Sequence, residues 1–274
     1  MTQKFAKIFA SSPTDEAALT RLELLVEALL DPEKGCPWDK EQTTYSLTES
    51  ILEETFELRE ALLADQAAGV LEEAVDAIFN LIFLTRLTRK KWGFGLKEIL
   101  DAVIDKMIQR HPHVFGEAPE IKDSEGVLRQ WHQIKRQKGQ GVLATVPVDL
   151  PALTRCHRLS SKAARVGFDW ESVAAVRKAL ELELAELDEE IALGNFNDPQ
   201  RQERLRHELG DTLMATANLA RRLGFSGEKA LAEANNRFVT RFNWLENRLS
   251  EKGLKPEQVD LAELERLWQE AKKS

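Results

Sequence analysis

The stretch that decides the fold is Leu52-Glu53-Glu54-Thr55-Phe56-Glu57, followed by Glu73-Ala74-Val75-Asp76. It returns in the second half as Leu182-Glu183-Leu184-Ala185-Glu186, followed by Glu208-Leu209-Gly210-Asp211. Each copy is an E-x-x-E and then an E-x-x-D. Positions i and i+3 share one helix face. Leu47, Ile51, Leu58 and Leu62 form an apolar helical stripe, and Glu54 falls inside it. Val176, Leu180, Leu187 and Ile191 form the second stripe, with Glu183 at the same offsets. A carboxylate on a core face is costly unless a partner offsets its lost hydration. Two such helices facing each other gather four carboxylates, which repel until they take up protons or a cation.

The surrounding pattern predicts helices only. The first half reads as helices beginning after Asp15, at Ser46–Ala64, Val70–Lys91 and Leu96–Arg110, with a fifth over Ser124–Lys138. Val75 to Leu87 is apolar nearly all round and predicts a central, buried helix. Gly35-Cys36-Pro37-Trp38-Asp39-Lys40 reads as a loop, with Trp38 either a lid on the core, the preferred reading, or a platform for a planar ligand. Gly139-Gln140-Gly141 and Pro147 to Pro151 punctuate the chain. They place a boundary near 145, between domains 1–145 and 146–274. The second half predicts helices over Pro151–Arg165, Glu171–Leu193, Asp198–Leu223, Ser226–Leu249 and Asp260–Lys272. Lys106 and Arg110 on one fourth helix answer to Arg237 and Arg241 on the other, and Trp131 answers to Trp268. A repeat at roughly 130 residues suits tandem domains rather than a solenoid. The fold class is all-α: two tandem duplicated helical bundles.

Composition narrows the function. Apolar residues make up 43% of 274 and charged ones 31%, with a net charge of −8. That sign argues against a nucleic-acid partner, since phosphate neutralisation needs a basic surface. The N-terminus lacks an apolar leader, and no run reaches the ~18 residues of a spanning segment. With Cys36 and Cys156 forming no metal pattern, the chain reads as cytoplasmic, without a membrane partner.

A single E-x-x-E is an ordinary solvated helix face. Two copies, each with an acid on the apolar stripe, point to a metal site. No histidine stands three after any of these acids, unlike the E-x-x-H of di-iron bundles. All-oxygen ligands favour Mg²⁺, with Mn²⁺ as a substitute. Mg²⁺ commonly carries substrate phosphates, and the cationic pairs Lys106/Arg110 and Arg237/Arg241 suit phosphate oxygens. No Gly-rich phosphate loop is present.

Glu53-Glu54-x-x-Glu57 with Glu73-x-x-Asp76 resembles the signature of the all-α nucleoside triphosphate pyrophosphohydrolases. Gly35-Cys36-Pro37-Trp38-Asp39, Arg110-His111-Pro112-His113-Val114-Phe115 and Val166-Gly167-Phe168-Asp169-Trp170 are similar to segments of the two-domain MazG proteins. The resemblance spans roughly residues 20 to 272. It implies Mg²⁺-dependent hydrolysis of a nucleoside triphosphate to monophosphate and pyrophosphate, of broad, house-cleaning specificity. It implies metal ligation and catalysis by Glu183, Glu186, Glu208 and Asp211, and metal ligation in the first half by Glu54, Glu57, Glu73 and Asp76. It implies nucleotide contacts from Arg204, Arg237, Arg241 and Trp268, and a homodimer. Leu182 stands where a first adjacent glutamate belongs, and Arg237 where a lysine is frequent. The activity of the second half is expected from the resemblance alone; the count of acids favours the first. The alternatives are a narrow deoxynucleotide pyrophosphatase and a non-catalytic nucleotide sensor or dimerisation scaffold.

Overall fold

The computed structural model describes residues 8, 11–116, 123, 126, 127, 130 and 141–273. No strand occurs among them. The expected fifth helix of the first half, and Trp131 within it, lie outside the described residues apart from 126, 127 and 130. The chain separates into two compact units, Met1–Trp131 and His132–Ser274. The division falls earlier than residue 145 because the segment before Pro147 is tied to the second unit. There Lys162 donates to Thr145 Oγ1 and to the Val142 carbonyl, and Val146 is buried.

In the first unit α1 spans Asp15–Leu29, α2 Pro37–Glu41, α3 Leu47–Ala64, α4 Ala67–Trp92, α5 Leu96–Arg110 and α6 Pro112–Phe115. Thr14 caps α1 by accepting from the Ala17 N–H. Only Asp65 and Gln66 separate α3 from α4, so the two form an antiparallel hairpin and pack along each other. Gly93 ends α4 at φ 81°, a left-handed conformation that a side chain would strain. The core joins Val26, Leu47, Ile82, Phe83 and Leu87, with Ile51 and Phe79 against them.

Two expectations are corrected here. The stretch read as a loop contains α2, opened by Pro37 at its first turn. Trp38 on it is 62% exposed and is no lid on the core. Second, α4 is not buried all round. Ile82, Phe83 and Leu87 face inward, while Leu71, Val75, Ile78 and Leu81 are exposed.

In the second unit α7 spans Ala152–Ala164, α8 Val173–Ala192, α9 Pro199–Arg222, α10 Gly227–Ser250 and α11 Leu261–Ala271, with a 3₁₀ turn at Pro256–Gln258. Side-chain caps start four of these helices: Ser172, Asp198, Ser226 and Asp260 each accept a backbone N–H three residues on. The α8 and α9 helices pack along each other, and α10 packs against α11. Leu245, Leu249 and Leu267 make a buried cluster, joined by Trp244, Leu264 and Trp268.

Candidate metal centres on paired helices

In the second unit, Val176 is fully buried and fixes which face of α8 turns inward. Glu183 lies two turns further along that face and is half-buried. Thr212, on α9, donates its hydroxyl to the Glu183 backbone carbonyl across 3.4 Å. That bond sets the two helices in register beside the acids. Oxygens of Glu183, Glu186 and Glu208 lie within 4.8 Å of one another. Asp211 follows Glu208 by one turn. His207 directs Nδ1 towards this pair, 3.1 Å from Asp211 Oδ2 and 3.4 Å from Glu208 Oε1. Glu208 thus belongs to two groups, one with Glu183 and Glu186 and one with His207 and Asp211. Burial pushes the Glu183 carboxyl above the usual carboxylate range. The charges of Asp211, Glu186 and Glu208 add to the rise, and His207 opposes it.

The first unit carries a related arrangement between α3 and α4. Oxygens of Glu54, Glu73 and Asp76 lie within 4.8 Å of one another. Glu57 lies near enough for its charge to raise the proton affinity of both Glu54 and Glu73. The Glu54 carboxyl is raised by partial burial first, then by Asp76, Glu57, Glu73 and Glu53. Glu73 is raised by desolvation, then by Glu57, Glu72 and Asp76. Both stripes stop one turn short of their expected ends: Leu62 and Ile191 are exposed.

Converging carboxylates that repel one another, with raised proton affinity on the most buried member, are what a divalent cation relieves. Oxygen donors fit Mg²⁺ or Mn²⁺. At these positions the donor chemistry is therefore compatible with the ion that the sequence implies.

The expected nucleotide contacts are dispersed. On α10, Arg237 and Arg241 line a cavity of about 520 Å³ together with Asn236, Thr240, Trp244, Ala271 and Lys272. Trp268 does not line it; its ring packs on Phe238 at 5.1 Å and joins the apolar cluster. Arg204 is exposed on α9, one turn before Glu208. Lys106 is exposed and Arg110 half-buried on α5. Asp169 accepts from Arg221 and, at 3.1 Å, from Arg222, which clamps the loop before α8 to the end of α9. Sequence reading missed His207, Trp244 and Lys272. The first was visible as a histidine four before Asp211, the second as an aromatic three after Arg241.

Known proteins resemble the chain over most of its length. The family model described as the MazG nucleotide pyrophosphohydrolase domain matches residues 42–115, the part that holds α3 and α4. A nucleoside triphosphate pyrophosphohydrolase of Escherichia coli is 37% identical over 260 residues, covering 93% of this chain and 97% of the relative. The nucleoside triphosphate pyrophosphohydrolase/pyrophosphatase MazG of Thermotoga maritima is 33% identical over 252 residues, covering 90% and 93%. The Bacillus subtilis protein YabN is 33% identical over 244 residues, which are 88% of this chain and 49% of that longer one. With near end-to-end similarity to two such enzymes and paired acid-bearing helices in each unit, the chain belongs to the MazG family of nucleoside triphosphate pyrophosphohydrolases.

Proposed function

We propose that this protein hydrolyses nucleoside triphosphates to the monophosphate and pyrophosphate, with Mg²⁺ or Mn²⁺, over a broad range of bases. The observation that carries the reading is the convergence of Glu183, Glu186 and Glu208 oxygens within 4.8 Å, with Asp211 beside them. In the second unit these four side chains would hold the ion and fix its position through α8 and α9. Glu54, Glu57, Glu73 and Asp76 have that role in the first. When bound, the ion neutralises phosphate oxygens and lowers the pKa of a coordinated water. Arg237 and Arg241 offset the charge that builds on the departing pyrophosphate. Trp244 lines the same cavity, with the Arg248 guanidinium 5.0 Å from its ring centroid. Leu182 leaves the second unit without the adjacent acid that Glu53 supplies in the first. That difference favours unequal turnover in the two units.

The working form in this proposal is a cytoplasmic homodimer. Its support is the apolar row Leu71, Val75 and Ile78 on α4, spaced i, i+4 and i+7 and 69%, 57% and 52% exposed. Leu209 and Leu213 on α9 are half-exposed in the same way.

The test is pyrophosphate release from a panel of nucleoside triphosphates by the full chain, with Mg²⁺ and with chelator. Glu57→Gln, Glu186→Gln and the double variant are assayed alongside. Loss of release in the double variant and with chelator is expected. Undiminished turnover in the double variant would refute the assignment, and metal-dependent nucleotide binding without cleavage would leave a sensor.

A further inference from the structure

Both acid clusters could hold a divalent ion, but they are not chemically equivalent. Counting from Glu73 and Glu208, the residue one earlier on α4 is Glu72 and on α9 is His207. Glu72 adds an oxygen and a negative charge near its cluster, and His207 adds a nitrogen. His207 Nδ1 is already turned to the acids, at 3.1 Å from Asp211 Oδ2 and 3.4 Å from Glu208 Oε1. The three ligand atoms lie within 4.8 Å of one another, close enough to share one ion. His207 and Asp211 are four residues apart, on one face of α9, so helix geometry holds them together. The imidazole is 73% exposed and can adjust to an ion without repacking anything.

Imidazole nitrogen ranks Co²⁺, Ni²⁺ and Zn²⁺ well ahead of Mg²⁺, which prefers oxygen and retains its waters. We infer that His207 is a nitrogen ligand, and that with Glu208 and Asp211 it raises the second unit's affinity for Mn²⁺ and borderline transition-metal dications above what the carboxylates alone give, without displacing Mg²⁺ from them, whereas the first unit's centre offers oxygen donors only. This rests on the carboxylate clusters binding metal at all. It goes further by giving the two units different donor sets. Glu208, common to both groups in the second unit, connects the His207 position to the oxygens of Glu183 and Glu186. A hydrogen bond between His207 and Asp211 with no ligand role is the competing account, and it predicts equal effects on every metal.

The experiment is calorimetric titration of the metal-free full chain with Co²⁺ and with Mg²⁺, without nucleotide. It compares the unaltered protein with His207→Gln, His207→Glu and Glu183→Gln/Glu186→Gln, and records the visible Co²⁺ spectrum in parallel. The expected result is that His207→Gln weakens one Co²⁺ site about tenfold and moves Mg²⁺ affinity by no more than about twofold. The Co²⁺ absorption bands should shift in both His207 variants. The inference is overturned if His207→Gln leaves Co²⁺ affinity and spectrum unchanged, or weakens both ions alike. If instead Glu183→Gln/Glu186→Gln binds both metals as tightly as the unaltered protein at both sites, the metal-centre reading itself fails, and the inference falls with it.

Discussion

The Thr212 hydroxyl reaches across from α9 to the backbone carbonyl of Glu183 on α8, 3.4 Å away, at the level of the acids. Thr212 is buried, so this bond is shielded from competing water. It holds two carboxylate-bearing helices at a fixed offset without being a ligand. Thr212→Val keeps the shape and removes the donor. It should cost about 1 kcal/mol of stability and weaken metal binding in the second unit. Thermal denaturation and calorimetric titration would check both; unchanged metal affinity would show that packing alone sets the register.

The raised carboxyls of Glu54, Glu73 and Glu183 give the metal-free protein a defined response to pH. A carboxyl whose folded pKa exceeds its unfolded value binds its proton more tightly when folded. Its contribution is greatest below the ordinary carboxylate range and is lost as pH rises through the raised value. The metal-free chain should therefore shed stability across the weakly acidic range. Mg²⁺ should restore it, by an increment that grows towards neutral pH. Melting curves from roughly pH 4 to 8, with Mg²⁺ and with chelator, would read this directly. Glu183→Gln and Glu54→Gln should each narrow the gap between the two series.

Asp169 obeys the opposite sign. Hydrogen bonds from Arg221 first, then from the Trp170 N–H, with the charges of Arg221 and Arg222, hold its carboxyl below the usual range. Its contribution is present above the unfolded pKa and is lost as pH falls through the depressed value. Asp169→Asn should cost about 2 kcal/mol at neutral pH and flatten the acid limb of the stability profile. Because the residue lies away from the four acids, metal affinity should hold while the melting temperature falls.

In the proposed homodimer, charge placed on the open flank of α4 should separate the two copies. Ile78→Asp, at a position 52% exposed, should convert a dimer to a monomer in light scattering coupled to size exclusion. Helical content would stay the same, since the inward residues Ile82 and Phe83 are untouched. A variant that elutes as the unaltered protein would place the contact elsewhere.

The elements were largely readable because apolar spacing and caps agreed. Leu96–Arg110 has the expected bounds, and α8 to α11 differ from theirs by one or two residues at each end. Periodicity could not say which apolar flank the chain itself covers. That is why Val75 and Ile78, read as core, are exposed. Nor could it detect α2, whose five residues give barely more than one turn. Leu62 and Ile191 each follow the stripe by one more i+4 step, and i+4 steps drift off the inward face of a helix with 3.6 residues per turn. The acids were legible because their spacing repeats. His207 was not, because it stands one before Glu208 and four before Asp211, outside the E-x-x-H spacing that marks a nitrogen ligand on such helices.

The uncovered row on α4 has a meaning for how this molecule lives in solution. A hairpin that leaves Leu71, Val75 and Ile78 to water is only half finished by its own chain. In the homodimer proposed above, a second copy would complete it by mass action, so dilution should act as a mild denaturant and the melting temperature should fall with protein concentration.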